Sequence, residues 1–158
     1  MQQSLQVSMS NSRLIFAVLF IATLVAGSSA LIWEVGGEWY QGLNQPWFTP
    51  PNWLFGPVWT MLYILMALSA TRLIARSAGL AVGLWALQIT LNTLWTPVFF
   101  GGYNLGAAFL YIAALWVVLL LNILVAWRVD KWSSIMLWPY LVWVSFASLL
   151  NYSFWMLN

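Results

Sequence analysis

Between Leu14 and Trp155 the chain consists of five long apolar runs, 14–33, 53–74, 80–100, 105–127 and 132–155, with its few charged residues at the ends of the runs or between them. About 20 apolar residues in a helix cross the hydrocarbon of a bilayer, so each run is long enough to span one. The prediction is an all-α integral membrane protein: a single five-helix transmembrane bundle over 13–158, preceded by a polar tail over 1–12. The balance of 63% hydrophobic to 5% charged residues points the same way, because it cannot supply the solvated surface of a globular domain. A β-barrel is disfavoured, since the apolar residues run continuously instead of alternating. The first run also resembles a signal peptide, with Arg13 ahead of it and Ser28-Ser29-Ala30 closing it. It exceeds the usual h-region of about 7–15 residues, so it is read as a retained helix.

Charge placement is an independent check on this segmentation. If the runs alternate sides, Arg13, Arg72, Arg76, Arg128 and Lys131 share one face, and Glu34 and Glu38 the other. The positive-inside rule then places the N-terminus in the cytoplasm and the first loop outside, in what is expected to be a bacterial cell membrane. A net charge of +2, scattered along the chain, is too small for nucleic-acid binding. Histidine and cysteine are both absent, which removes metal sites of ordinary ligand type, thiolate nucleophiles and imidazole acid–base catalysis. No cofactor is required on this reading.

The long loop between the first two runs is aromatic. From Glu38 to Trp59 it reads EWYQGLNQPWFTPPNWLFGPVW, with seven rings among four prolines. Something must bury them: either membrane lipid at the interface, or a pocket over the bundle. Neutral polarity inside the runs is the second signal. Gln88, Asn92 and Thr96 fall on one face of the third helix, Trp143, Ala147 and Asn151 on one face of the fifth, and Trp59 with Tyr63 on the second. Such stripes serve either as interhelical glue or as the walls of a pocket for a flat apolar ligand, and spacing does not choose between them. Gly79 and Gly83 form a GxxxG pattern suited either to close packing within one protomer or to a homodimer face. Pro97 and Pro139 are expected to kink their helices, and Asp130 to cap the last one.

Three blocks carry a family resemblance: EWYQGLNQPWFTPPNWLFGPVWTMLY, QITLNTLWTPVFFG and WPYLVWVSFASLLNYSFW. The chain resembles the tryptophan-rich sensory protein / translocator protein (TspO/MBR, peripheral benzodiazepine receptor) family over nearly its whole length. The resemblance implies a five-helix bundle whose first loop covers a cavity for porphyrins, haem and other flat hydrophobic ligands, often in a homodimer. It implies Tyr40 and Trp47 in the loop lid, Pro50 and Phe55 at the cavity mouth, and Trp59 stacking on ligand. Asn92 and Phe99 would line one wall, with Trp143 and Ala147 opposite. The functions implied are a receptor or sensor tied to tetrapyrrole or stress regulation, a translocator of porphyrin or lipid-like ligands, and light- and oxygen-dependent porphyrin degradation with Trp59 and Trp143 as redox-active rings. The sterol-recognition pattern of eukaryotic relatives is incomplete here, because no basic residue follows Tyr152; sterol binding through it is not expected.

Overall fold

The computed structural model describes residues 2–28, 32–33 and 35–158. Among the described residues it has six α-helices, α1 (Gln2–Gly27), α2 (Glu38–Gly42), α3 (Phe55–Ala75, entered through a 3-10 turn at Asn52–Leu54), α4 (Gly79–Thr96), α5 (Leu105–Val129) and α6 (Lys131–Leu157), and no strand. The sequence reading foresaw five. The extra one, α2, is a single short helix within the aromatic loop, where Gly37 and Leu43 flank it in extended conformation.

Two boundaries also differ. Residues 2–26 contain neither proline nor glycine, so α1 begins at Gln2 and absorbs the expected polar tail. It stops at Gly27 instead of 33, where a poor helix former meets two serines. The remainder of the Ser28-Ser29-Ala30 site and the Glu34 charge lie outside the described residues. By length and apolar composition, three described helices can cross a membrane: Asn52–Ala75, Leu105–Val129 and Lys131–Leu157, the second with a mean hydropathy of 2.6. The apolar part of α1, Leu14–Gly27, is shorter, and α4 is diluted by Gln88, Asn92 and three threonines.

Pro97 produces a change of helix type rather than a bare kink. It cannot donate a backbone hydrogen bond, and after it the chain widens into a π turn over Pro97–Gly101, closed by Gly102 N–H donating to the Pro97 carbonyl at 2.8 Å. Phe99 and Phe100, consecutive in this turn, both line the inside of the bundle. Pro139, by contrast, lies inside a continuous α6.

One end of the bundle is solid. Leu62 and Met66 of α3, Leu119 of α5 and Leu137 and Tyr140 of α6 are fully buried against one another. Small residues allow the close approach: Ala67 and Ala70 are also fully buried on α3. Polar ties then satisfy groups that hydrocarbon cannot. Ser69 donates to the Ser133 carbonyl at 2.9 Å, Ser134 to the Ile123 carbonyl at 2.9 Å, and Trp85 Nε1 to the Met66 carbonyl at 3.1 Å.

Asp130 closes this end. As expected from sequence it caps α6, accepting from Ser133 N–H at 3.3 Å and Ser133 Oγ at 2.6 Å. It also takes a two-pronged contact from Arg72, at 2.6 and 3.0 Å, with Arg76 at 3.8 Å. The Arg72 hydrogen bond holds the Asp130 carboxyl well below the usual carboxylate range, against the opposing effect of burial. A depressed folded-state value means that the pair stabilises the fold above the unfolded carboxyl's pKa of about 3.9 and that this is lost as pH falls through the lower folded value. Asp130→Asn is therefore expected to cost about 1–3 kcal/mol at neutral pH, between the limits for exposed and buried pairs. In thermal unfolding of the detergent-solubilised protein, it is also expected to flatten the wild type's loss of stability below pH 4.

Candidate ligand-binding cavity

Above the solid end the helices diverge around a cavity of about 460 Å³, within the range of about 300–1,000 Å³ typical of small-molecule sites. On α3 the inward residues are Phe55, Trp59 and Tyr63, four apart and so on one face. Trp143 and Ala147 face them from α6, followed on the same stripe by Asn151 and Phe154. Asn92, Trp95 and Thr96 come from α4, Phe99 and Phe100 from the π turn, and Ile112 and Leu115 from α5. Tyr40, carried by α2, reaches in from above.

The rings meet edge to face or tilted and none is stacked flat on another, in keeping with their quadrupoles. Trp59 and Trp143 lie 6.5 Å apart, centroid to centroid, at 86°, and Phe55 lies 5.8 Å from Trp143 at 76°. Tyr40 sits 5.2 Å from Phe154 and 6.4 Å from Phe99. Amides lock two of the walls. Asn92 Nδ2 donates to the Tyr140 hydroxyl at 3.0 Å, while Trp95 Nε1 donates to Asn151 Oδ1 at 2.9 Å and Asn151 Nδ2 to the Leu105 carbonyl at 2.9 Å. No charged side chain lines the cavity among the described residues, and burial pushes the Tyr40 phenol above its ordinary value, keeping it neutral. Nothing here pairs a nucleophile with a base. The arrangement can stack against a flat apolar molecule and orient it with a few neutral polar atoms.

Eight of the ten residues singled out from sequence come together on this cavity: Tyr40, Phe55, Trp59, Tyr63, Asn92, Phe99, Trp143 and Ala147. Two do not. Trp47 is 95% exposed, its ring packing only edge-on against Phe48 at 5.6 Å, and Pro50 is half-buried off the lining. Trp47 sits in a turn closed by Thr49 N–H donating to the Pro46 carbonyl at 3.0 Å, and there Pro46 is buried and Phe48 packs on Phe146 while the Trp47 ring points away. Trp95, Phe100, Leu150 and Phe154 are lining residues that sequence reasoning passed over. For Phe154 the signal was present, one turn beyond Asn151 and two beyond Ala147. Gly79 and Gly83 are exposed, and a side chain added at either meets nothing, so neither supports close packing within this protomer.

A profile of the TspO/MBR family matches residues 13–156. The chain belongs to the TspO/MBR family. It is 42% identical over 149 residues to protein CrtK of Rhodobacter capsulatus, covering 91% of this chain and 92% of that one. It is 38% identical over 122 residues to the tryptophan-rich sensory protein of Cereibacter sphaeroides, 77% of each chain, and 32% identical over 126 residues to the human translocator protein, 76% of this chain and 75% of that one. TspO/MBR membership and the apolar helices together make it a membrane protein.

The loop over the TspO/MBR cavity is fastened at two places. Trp39 packs on the π turn, 5.8 Å from Phe99 and 6.5 Å from Phe100, and 4.8 Å from Tyr103 just beyond it. Just after α2, Asn44 and Asn158 form a reciprocal amide clasp. Asn44 N–H donates to Asn158 Oδ1 at 2.8 Å, Asn158 Nδ2 to the Asn44 carbonyl at 3.2 Å, and Asn44 Nδ2 to the Leu157 carbonyl at 3.2 Å. Asn158→Ala removes two of these bonds, each worth about 0.5–1.5 kcal/mol. It is expected to speed hydrogen exchange at the Asn44 amide severalfold while leaving α3 and α6 core amides unchanged.

Proposed function

We propose that the chain is a membrane receptor that takes porphyrins, haem or similar flat hydrophobic molecules into the cavity beneath the α2 loop and signals their level. The observation that carries this reading is the cavity itself: aromatic on opposing walls, neutral, and provided with a few oriented amides. In this reading all five long helices cross the bilayer, with the N-terminus cytoplasmic and the loop external, as the distribution of basic residues favours. The blind floor supports a receptor over a translocator, since Leu62, Met66, Leu119 and Tyr140 fill the bundle below the cavity. The exposed Gly79 and Gly83 face of α4 suits a second copy of the chain, and the family reading of a homodimer rests there.

Binding of this kind is dominated by stacking. With no histidine or cysteine in the chain, haem iron gains no imidazole or thiolate ligand, so metal-free protoporphyrin is expected to bind within about tenfold of haem. A preference for haem of about 100-fold, near 2.7 kcal/mol, would contradict this. Tryptophan fluorescence during protoporphyrin titration supplies the direct test. Ala147→Trp fills the cavity and is expected to weaken binding by at least about tenfold, whereas Trp47→Ala, outside it, is expected to change affinity less than about twofold. Equal effects of the two substitutions would sink the assignment.

A further inference from the structure

The cavity is not equally closed on all sides. Its exposed lining residues are Leu24, Val35, Asn52, Gly56 and Thr60, and every one of them belongs to α1, to α3 or to the segment joining these helices. The residues contributed by α4, α5 and α6 are buried or half-buried. Among the described residues, the cavity therefore opens sideways, between the last turn of α1 and the first turns of α3.

The chemistry of this gap suits the passage of an apolar molecule. Its edges are small: Gly27 and Ser28 at the end of α1, Gly56 and Thr60 on α3. Both hydroxyls are turned onto the adjoining helix, Ser28 Oγ donating to the Val25 carbonyl at 2.6 Å and Thr60 Oγ1 to the Gly56 carbonyl at 2.9 Å. Their O–H donors are thus satisfied within the protein, so a molecule sliding between them leaves no hydroxyl donor unpaired. The Tyr63 ring, against which Gly27 packs so closely that a Cβ there would strike it, forms the lower sill. At Gly56 the space is open, since a Cβ added there meets nothing. The neighbouring α1 surface, Leu14, Val18, Ile21 and Val25, is exposed and wholly apolar, as a surface facing hydrocarbon should be.

We infer that the gap between α1 and α3 is a lateral doorway through which flat apolar ligands pass directly between the surrounding lipid and the cavity. This rests on the receptor reading above and names the source of its ligand: molecules already dissolved in the bilayer, not molecules arriving from water beneath the loop.

The test is stopped-flow tryptophan quenching by protoporphyrin, with the full chain in lipid nanodiscs. Gly56→Phe places a ring in the open space of the doorway and is expected to slow association and dissociation together, each by about tenfold. Thr60→Phe, on the same edge one turn along, carries the same expectation should Gly56→Phe fail to fold. Leu110→Phe, on the lipid face of α5, is expected to leave both rates unchanged. If the doorway variants bind protoporphyrin at wild-type rates while Asn158→Ala, which frees the loop, accelerates exchange, entry is from water under the loop; the doorway is then refuted and the receptor stands. If the wild type does not bind protoporphyrin at all, the receptor reading falls and the doorway with it.

Discussion

Hydrocarbon offers no partners for hydrogen bonds, so a cavity inside a membrane bundle keeps its shape only if the polar groups around it satisfy one another. Asn151 does this for three elements at once. Its oxygen accepts from the Trp95 indole of α4 and its nitrogen donates to the Leu105 carbonyl at the start of α5, while its own backbone belongs to α6. One amide therefore sets the spacing of the three helices that form the far wall. Asn92, bonded to the Tyr140 hydroxyl, repeats the device one level lower, at the boundary between hollow and solid packing. With those ties in place, the aromatic rings can line a hollow without the helices collapsing on it.

At the opposite end the same requirement is met without leaving space. Serine hydroxyls donate to carbonyls of neighbouring helices, alanines let backbones approach, and Asp130 gathers Arg72, Arg76 and Ser133 at the junction of α3, α5 and α6. The result is a bundle with a rigid lower half and an upper half held apart by amides and roofed by a loop. Two residues depart from the pattern. Gln88 and Asn122 are fully buried with no hydrogen-bond partner among the described residues, and nothing in the structure explains them.

The helices were legible because each apolar run exceeds what a loop sustains, and the cavity walls because polar and aromatic residues recur at helical spacing on α3, α4 and α6. Periodicity places a residue on a face but does not say what that face meets. Gln88 and Asn92 share a stripe, yet only Asn92 reaches the cavity. In the loop there is no period to read, and the direction of each ring depends on contacts far away in sequence: the Asn44 clasp joins residues 114 apart. For that reason no pattern in the sequence indicates that the Trp47 ring lies off the cavity lining. The π turn after Pro97 was equally hidden, since a proline reports a missing donor and not the geometry that replaces it.

The central claim is that Trp59, Trp95 and Trp143 face a shared hollow while rings such as Trp127, Trp132 and Trp138 face outward. Fluorine NMR of protein carrying 5-fluorotryptophan, with each resonance assigned by substitution and protoporphyrin added stepwise, separates the two groups. Ring-current shifts confined to Trp59, Trp95 and Trp143 are the expected result. Shifts concentrated at Trp127, Trp132 and Trp138, with the other three unmoved, would contradict it.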